Sequence, residues 1–297
     1  MPHLKGEGLA YGAVSLVNAL ATGKGATISV DLKTVARVEL VQGDSWWKVN
    51  INKRPAQSPL AVETVHGALR LVGEDPDEWG GRIDITSDIP VAKGLKGSSS
   101  SSVAICLATL SAKGVKKFEV HDVLGCSVEA SLVSGASLTG ALDDAASCLL
   151  GGINHVDNLR RIVLSSRHVE DRKAVIIKVP RMRNRRKFLD GELTKSLSVL
   201  ASRSFDMSYR GDFWQAMTLN GLIFSSLLGY DTRPALQALK HGALGAGLSG
   251  TGPSVAAIFD VDKLDRAREL KTDWGADGST VIETRTNNEE GKMVAIE

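Results

Sequence analysis

The residues with the most chemical content lie in IPVAKGLKGSSSSSVAICLATLSAKG, residues 89–114, where a glycine-rich turn feeds a run of five serines and then an apolar helix. A helix start carries unpaired backbone N–H groups and the positive end of the helix dipole. Glycine lets the backbone approach a ligand closely, so such a start can hold phosphate. Serine hydroxyls add donors, and one could ligate a magnesium ion riding on the phosphates. The plain alternative is a capped helix after a loop, but one serine suffices for a cap and serines in succession form helix poorly. A second segment, SLTGALDDAASCLLGG (137–152), sets Asp143 and Asp144 in small apolar surroundings. On a helix the two carboxylates point about 100° apart, so at most one faces a given site. That one either caps the helix or is a functional acid that takes the proton of an attacking hydroxyl. Glu129, upstream in GCSVEASLVSG, could reach the same cleft as a magnesium ligand. In the third segment, residues 243–261, Gly245, Gly247 and Gly250 spell G-x-G-x-x-G. The dinucleotide fingerprint must follow a strand and open a helix; here a predicted helix (233–244) precedes and a predicted strand (254–261) follows. What remains is a flexible loop able to close on a substrate or phosphate, or a plain connection.

Other classes of function are excluded by what is missing. A P-loop needs G-x-x-x-x-G-K-S/T, yet Gly23-Lys24 is followed by Gly25 and Gly291-Lys292 by Met293. The protein-kinase signature set is also missing. The 297 residues carry a net charge of +2, no footprint for nucleic acid. The one basic run, RMRNRRK (181–187), reads as a solvated loop or an anion patch, since no aromatic residue interleaves it. No apolar run approaches the ~18–20 residues of a membrane span, and the N-terminus lacks a signal-peptide pattern, so the cytoplasm is expected. Cys106, Cys126 and Cys148 sit about twenty residues apart in apolar sequence and read as reduced core residues. His66 reads as structural, the remaining histidines show no metal spacing, and Trp46-Trp47 reads as a strand pair.

The elements that must position these segments follow from pattern. Residues 25–33, 35–42 and 46–52 are predicted strands, with a turn at 43–45. Ser58 and Pro59 open a helix that runs to Val72 and is closed by Gly73. Residues 81–89 form a strand, and 98–150 read as three helices. Strand signals resume after Gly151-Gly152 and at 174–180. Helices are predicted over 189–204, 212–228, 233–244 and 264–274, with strands at 254–261 and 279–286. Strands and helices are segregated, which argues an α+β fold with two halves that meet near residues 150–165.

In this order and spacing the three segments resemble the GHMP kinase superfamily. Pro90 to Ser99 looks like its P-x-x-x-G-L-x-S-S phosphate loop, with Gly97 where the first serine is usual; Gly140-Ala141-Leu142-Asp143 resembles its G-x-x-D segment; and Gly245 to Ser254 looks like its C-terminal glycine motif. The stretches 6–32, GLKGSSSSS, TGALDDAAS and AMTLNGLIFSSLLG (216–229) resemble the archaeal-type shikimate kinase branch, over essentially the whole chain. The resemblance implies a ribosomal-protein-S5-like N-terminal domain over 1–155 and a ferredoxin-like C-terminal domain over 156–297, with ATP in the cleft between them. It implies that Lys93, Gly94, Leu95, Lys96, Gly97, Ser98, Ser99 and Ser100 hold the nucleotide phosphates. Ser98 or Ser99 with Glu129 would hold Mg2+. Asp143 would accept the hydroxyl proton, although counting back from Gly151 selects Asp144. Tyr11, Asn18 and Lys24 would border the substrate or nucleotide, Gly250, Thr251 and Gly252 would bind the substrate, and the loop Gly245–Gly252 would close near the transferred phosphate. The acceptor implied is shikimate, whose carboxylate needs a cation such as Lys5, Lys24 or an arginine of 181–186. Homoserine or mevalonate, or a silent ligand-binding regulator on the same fold, are the alternatives.

Overall fold

The structure, a computed structural model, describes residues 3–137, 139–181 and 191–294. Its twelve described strands form two sheets. In the first, β1 (His3–Val17) and β2 (Lys24–Gln42) form a long antiparallel pair. β5 (Trp79–Ser87) pairs with the C-terminal half of β2 and lies parallel to β3 (Trp47–Ile51), which carries β4 (Arg54–Ala56) at the edge. β6 (Ile153–Asp157) pairs with the N-terminal half of β2 and with β7 (Ile162–Arg167), and β12 (Lys292–Val294) returns from the far end of the chain to β1. The second sheet has the order β11-β8-β10-β9, all antiparallel: β8 (Ala174–Val179), β9 (Gly245–Leu248), β10 (Val255–Phe259) and β11 (Thr280–Arg285).

Helices α1 (Pro59–Leu71), α2 (Gly97–Ala112), α3 (Val120–Val133) and α4 (Leu142–Leu150) share one core with β1, β2 and β5. The other half of the chain supplies α5 (Gly191–Arg210), α6 (Phe213–Leu228), α7 (Arg233–Lys240) and α8 (Leu264–Gly275). Between the halves a second core joins Val14, Leu16, Ile28 and Val30 of the long pair to Val175, Ile177, Phe205 and Met217. Strands β1 and β2 therefore belong to both cores, and this binds the two halves together.

Several elements differ from the pattern in the sequence. The strands expected at 25–33 and 35–42 are one strand of 19 residues. Residues 25–30 are buried on both faces, whereas from residue 33 burial alternates because one face meets solvent, so one strand carries two patterns. The 15-residue β1 and the short β12 were not signalled, and Gly245–Leu248 is strand β9 rather than loop. Only residues 249–254 connect β9 to β10. The division expected at 155/156 falls inside β6, and the first sheet continues to Arg167. Helix α1 matches its expected start, with Ser58 accepting from the Ala61 N–H and Pro59 in the first turn. The three cysteines are free and buried.

Candidate active site

Helix α2 is seated by two glycines of β1. A Cβ on Gly6 would lie 2.0 Å from the Ala108 carbonyl oxygen, and one on Gly8 would lie 2.2 Å from that of Ala104. The backbone of α2 thus rests directly on β1, which fixes the place of its N-terminus. That N-terminus opens at Lys96, whose φ is +64° and whose side chain makes no capping bond. The first intrahelical bond of this turn runs from the Ser100 N–H to the Lys96 carbonyl. The N–H groups of Gly97, Ser98 and Ser99 therefore precede the ladder and are available to an anion. Ser98 is exposed, Ser99 is buried, and the buried Ser100 hydroxyl has no partner among the described residues.

Helix α4 begins at Ala141, also left-handed at φ +52°, with Asp143 and Asp144 in its first turn. The two acids do separate work. Asp144 pairs with Lys96, Oδ1 to Nζ 2.7 Å, and the lysine side chain is only 6% exposed. Burial opposes the lysine charge, but the Asp144 and Asp143 carboxylates outweigh it and hold its pKa above the ordinary value. Asp143 turns towards Gly25 at the start of β2, where a Cβ would stand 2.1 Å from Oδ2. Its backbone is held by Thr27, whose hydroxyl donates to the Asp143 carbonyl (2.6 Å), and by Asn158, whose Oδ1 accepts the Asp143 N–H (3.3 Å). Burial first, and the Asp144 charge second, push the Asp143 carboxyl up to about 7, against the pull of Lys96 and Asn158. A carboxyl with that affinity for protons suits a general base at neutral pH.

The glycine turn closes the third side. Ser249 donates through Oγ to the Gly94 carbonyl (2.7 Å), and a Cβ on Gly94 would collide with the Ser249 carbonyl oxygen at 2.2 Å. A Cβ on Gly250 would lie 3.2 Å from Lys96 Nζ. Gly250 and Gly252 have φ of +57° and +76°, and the Gly252 N–H bonds the Ser249 carbonyl across the turn. Lys96 is therefore the point at which phosphate loop, acid helix and glycine turn meet. Ser254, following the turn, also has a buried hydroxyl without a partner among the described residues. Uncapped N–H groups, two unpartnered hydroxyls and a buried cation fit a polyphosphate.

The remaining expected residues are placed as follows. Lys93 donates through Nζ to the Pro180 carbonyl (2.7 Å), which ties the loop to the end of β8. Asn18 directs its side chain into the protein: Nδ2 donates to the Gly250 carbonyl (2.8 Å) and Oδ1 accepts from the Leu20 N–H. Lys24 alternates with Gly25 along β2, so it points to the face opposite Asp143, with Nζ 5.8 Å from the Phe205 ring centre. Tyr11 is buried opposite Lys33, and burial, then Glu289 and Asp31, raise its phenol pKa. Glu129 is exposed and bonded to Arg161 (2.5 Å). Neither Tyr11 nor Glu129 shares the contacts of the Lys96 cluster. Thr251 is exposed at the turn. Lys5 pairs with Glu39. Of the basic run, Arg181 donates to the Gly278 carbonyl, and 182–187 lie outside the described residues. His66 packs on Trp47, and Trp46 is exposed. No group of three or more His, Cys, Asp or Glu side chains that could hold a metal occurs among the described residues. Gly25, Thr27, Asn158 and Ser15 were missed. Their signal is spatial, apart from glycine at 25 in a strand-forming stretch.

Comparison with known proteins identifies the family. Residues 63–152 match the model of the GHMP kinases N terminal domain, and 228–279 match that of the GHMP kinases C terminal domain. The shikimate kinase of Methanosarcina mazei is 38% identical over 288 residues, covering 96% of this chain and 95% of its own. That of Methanothrix thermoacetophila is 35% identical over 290 residues, covering 98% and 96%. Among solved structures, a homoserine kinase from Cytophaga hutchinsonii superposes with a TM-score of 0.72 at 21% identity, covering 98% of both chains. The mevalonate kinase of Methanococcus jannaschii does so with 0.70 at 16% identity, covering 96% of this chain and 98% of its own. The serine-rich start of α2, the acid helix and the glycine turn thus stand together in a chain that belongs to the GHMP kinase family, with archaeal shikimate kinases as full-length relatives.

Proposed function

We propose that the protein transfers the γ-phosphoryl group of ATP to the 3-hydroxyl of shikimate, giving shikimate 3-phosphate and ADP. The observation that carries the phosphoryl-transfer reading is the meeting of the three motifs on one buried lysine: Lys96 lies 2.7 Å from Asp144, beside the Gly250 turn and at the open start of α2. The acceptor is supported by the full-length relatives, which at 33–38% identity are named shikimate kinases.

Phosphoryl transfer is mainly positioning and neutralisation of charge. The N–H groups of Gly97 to Ser99, with Lys96 and the turn at 249–252, hold the transferring phosphates. The acceptor hydroxyl oxygen attacks the γ-phosphorus and the bond to the β–γ bridging oxygen breaks. The proton passes to Asp143, and ADP leaves. Asp144 keeps Lys96 charged and aimed at the phosphates. Magnesium bound to the nucleotide would neutralise phosphate charge. The exposed hydroxyl of Ser98 suits it, with Ser99 adjacent, and Glu129 would exchange Arg161 for the ion. The substrate is a small molecule, and no described helix is long and apolar enough to cross a membrane; the cytoplasm is the compartment such chemistry would occupy.

The test is ADP release with Mg-ATP against shikimate, homoserine, mevalonate and galactose. Turnover with shikimate alone is the expected result. Turnover with another acceptor would refute the substrate, and nucleotide binding without turnover on any of them would refute catalysis.

A further inference from the structure

We propose that Asn220 on α6 is a positioning residue for the phosphate end of the site, acting through Asn18 to hold the Gly250 turn over Lys96. This rests on reading that turn and Lys96 as the phosphate cradle. Asn220 is 1% exposed and lies on α6, within the stretch 216–229. Its Oδ1 accepts the Asn18 N–H (2.9 Å). Asn18 then donates through Nδ2 to the Gly250 carbonyl (2.8 Å). The chain continues through the Gly250 N–H to Ser15 Oγ (3.0 Å), the Ser15 N–H to Ser249 Oγ (3.2 Å), and Ser249 Oγ to the Gly94 carbonyl (2.7 Å). One continuous strap thus runs from α6, across the end of β1 and the glycine turn, to the phosphate loop.

The base of the strap is rigid. Gly221 packs on β9, where a Cβ would stand 2.4 Å from the Gly247 Cα, and Thr218 accepts the Ala246 N–H through Oγ1 (3.2 Å). Helix α6 is therefore fixed to the strand that enters the turn, and Asn220 reaches from it to the strand end on the other side. Its Nδ2 has no partner among the described residues. An asparagine kept for packing alone would carry that desolvated donor without return. Here its other atom sets the backbone of Asn18, whose side chain bonds the Gly250 carbonyl.

The experiment measures binding of Mg-ADP and of a non-hydrolysable Mg-ATP analogue by calorimetry, with kcat and KM for ATP and for shikimate alongside, and thermal unfolding as a check. Asn220→Ala is expected to weaken nucleotide binding about tenfold, one lost buried hydrogen bond to a positioned group, and to lower kcat/KM for ATP in parallel, with KM for shikimate within about twofold. Asn18→Ala should do the same, and the double variant should be little worse than either, because both cut one strap. Asn220→Asp, which keeps the accepting Oδ1 in place, should recover part of the loss and serves also if the alanine variant does not fold. A lowered unfolding temperature with unchanged nucleotide affinity, additive losses in the double variant, or aspartate no better than alanine would each overturn the proposal. Nucleotide affinity is read without acceptor, so failure of shikimate turnover would refute the substrate and leave this test standing. Absence of nucleotide binding by the unaltered protein would overturn both.

Discussion

Gly25→Ala tests the base assignment from the side of the strand. The new methyl would stand 2.1 Å from Asp143 Oδ2, 2.8 Å from Cγ and 3.1 Å from Cβ. Carbon and oxygen that are not bonded approach to about 3.3 Å, so the carboxylate must retreat by about 1.2 Å. The backbone at residue 25 is not left-handed, so alanine is tolerated there and the cost falls on Asp143 rather than on β2. A misplacement of about 1 Å in a reacting group costs about a hundredfold in rate, roughly 2.7 kcal/mol of barrier. Asp143→Asn, which removes the base outright, should lose at least about a hundredfold. The assay is steady-state ADP release, with nucleotide affinity and thermal unfolding measured on the same preparations. Expected are a kcat about one hundredth of the original, nearly unchanged ATP affinity, and little further loss when Gly25→Ala is added to Asp143→Asn. A Gly25→Ala protein with the original kcat would mean that Oδ2 has no required place, and Asp143 would lose its role. Multiplicative losses in the double variant would show that Gly25 acts through something else.

Because Asp143 must be ionised to take a proton, kcat/KM for shikimate should rise with pH through about 7. Asp144→Asn removes a repelling charge and frees Lys96 to face Asp143, so that limb should move to lower pH; a limb that does not move assigns it to another group. The same substitution breaks the buried Lys96–Asp144 pair, and chemical denaturation should record a loss of up to about 3 kcal/mol. Ser98→Ala should raise the magnesium concentration for half-maximal rate, and an unchanged titration would remove Ser98 from the metal site. His155 lies fully buried between Ser165 and Ser208, and burial, then Arg167, lower its pKa to about 4. The unfolded chain takes up that proton near 6.5, so stability should fall as pH drops from about 6.5 towards 4, by up to about 3 kcal/mol. His155→Gln should flatten that part of the pH–stability curve.

The chemistry of this site was more legible in the sequence than its geometry. The serine run, the paired aspartates and the glycine cluster are local signals, and each marks a helix start or a turn whose purpose can be argued from backbone N–H groups and charge. Which acid does which work is not local. Asp143 and Asp144 are equivalent in the pattern until β2 brings Gly25 beneath one and α2 brings Lys96 to the other. Lys24 shows the same limit: its neighbour Gly25 touches Asp143, but strand alternation carries the lysine to the opposite face. In the fold, α1 could be read residue by residue from Ser58 and Pro59, because its cap is a sequence motif. Strand β1 could not, since its glycines at 6 and 8 weaken any strand signal, and their purpose, contact with the backbone of α2, lies a hundred residues away.

The backbone around the site points to why Lys96 is lysine. It sits at φ +64°, a conformation glycine adopts without cost and an L-residue only at about 1–2 kcal/mol. Ala92 and Ala141, at +55° and +52°, stand at the approach to the same loop and at the start of the acid helix. Strain of this kind persists where surrounding structure over-determines it, and it gathers at functional sites. For Ala141 the over-determination is visible as Gly140 packed on Val128, which sets the angle at which α4 begins. For Lys96 it lies in the side chain. Glycine at 96 would relieve the backbone yet leave two acids facing the phosphate loop with no cation between them. A lysine further along α2 would face a neighbouring core, since from Ser99 the helix is buried almost all round. The N-cap is the place from which an amine can meet Asp144, the Gly250 turn and a phosphate together, and the left-handed backbone is the consequence of putting it there.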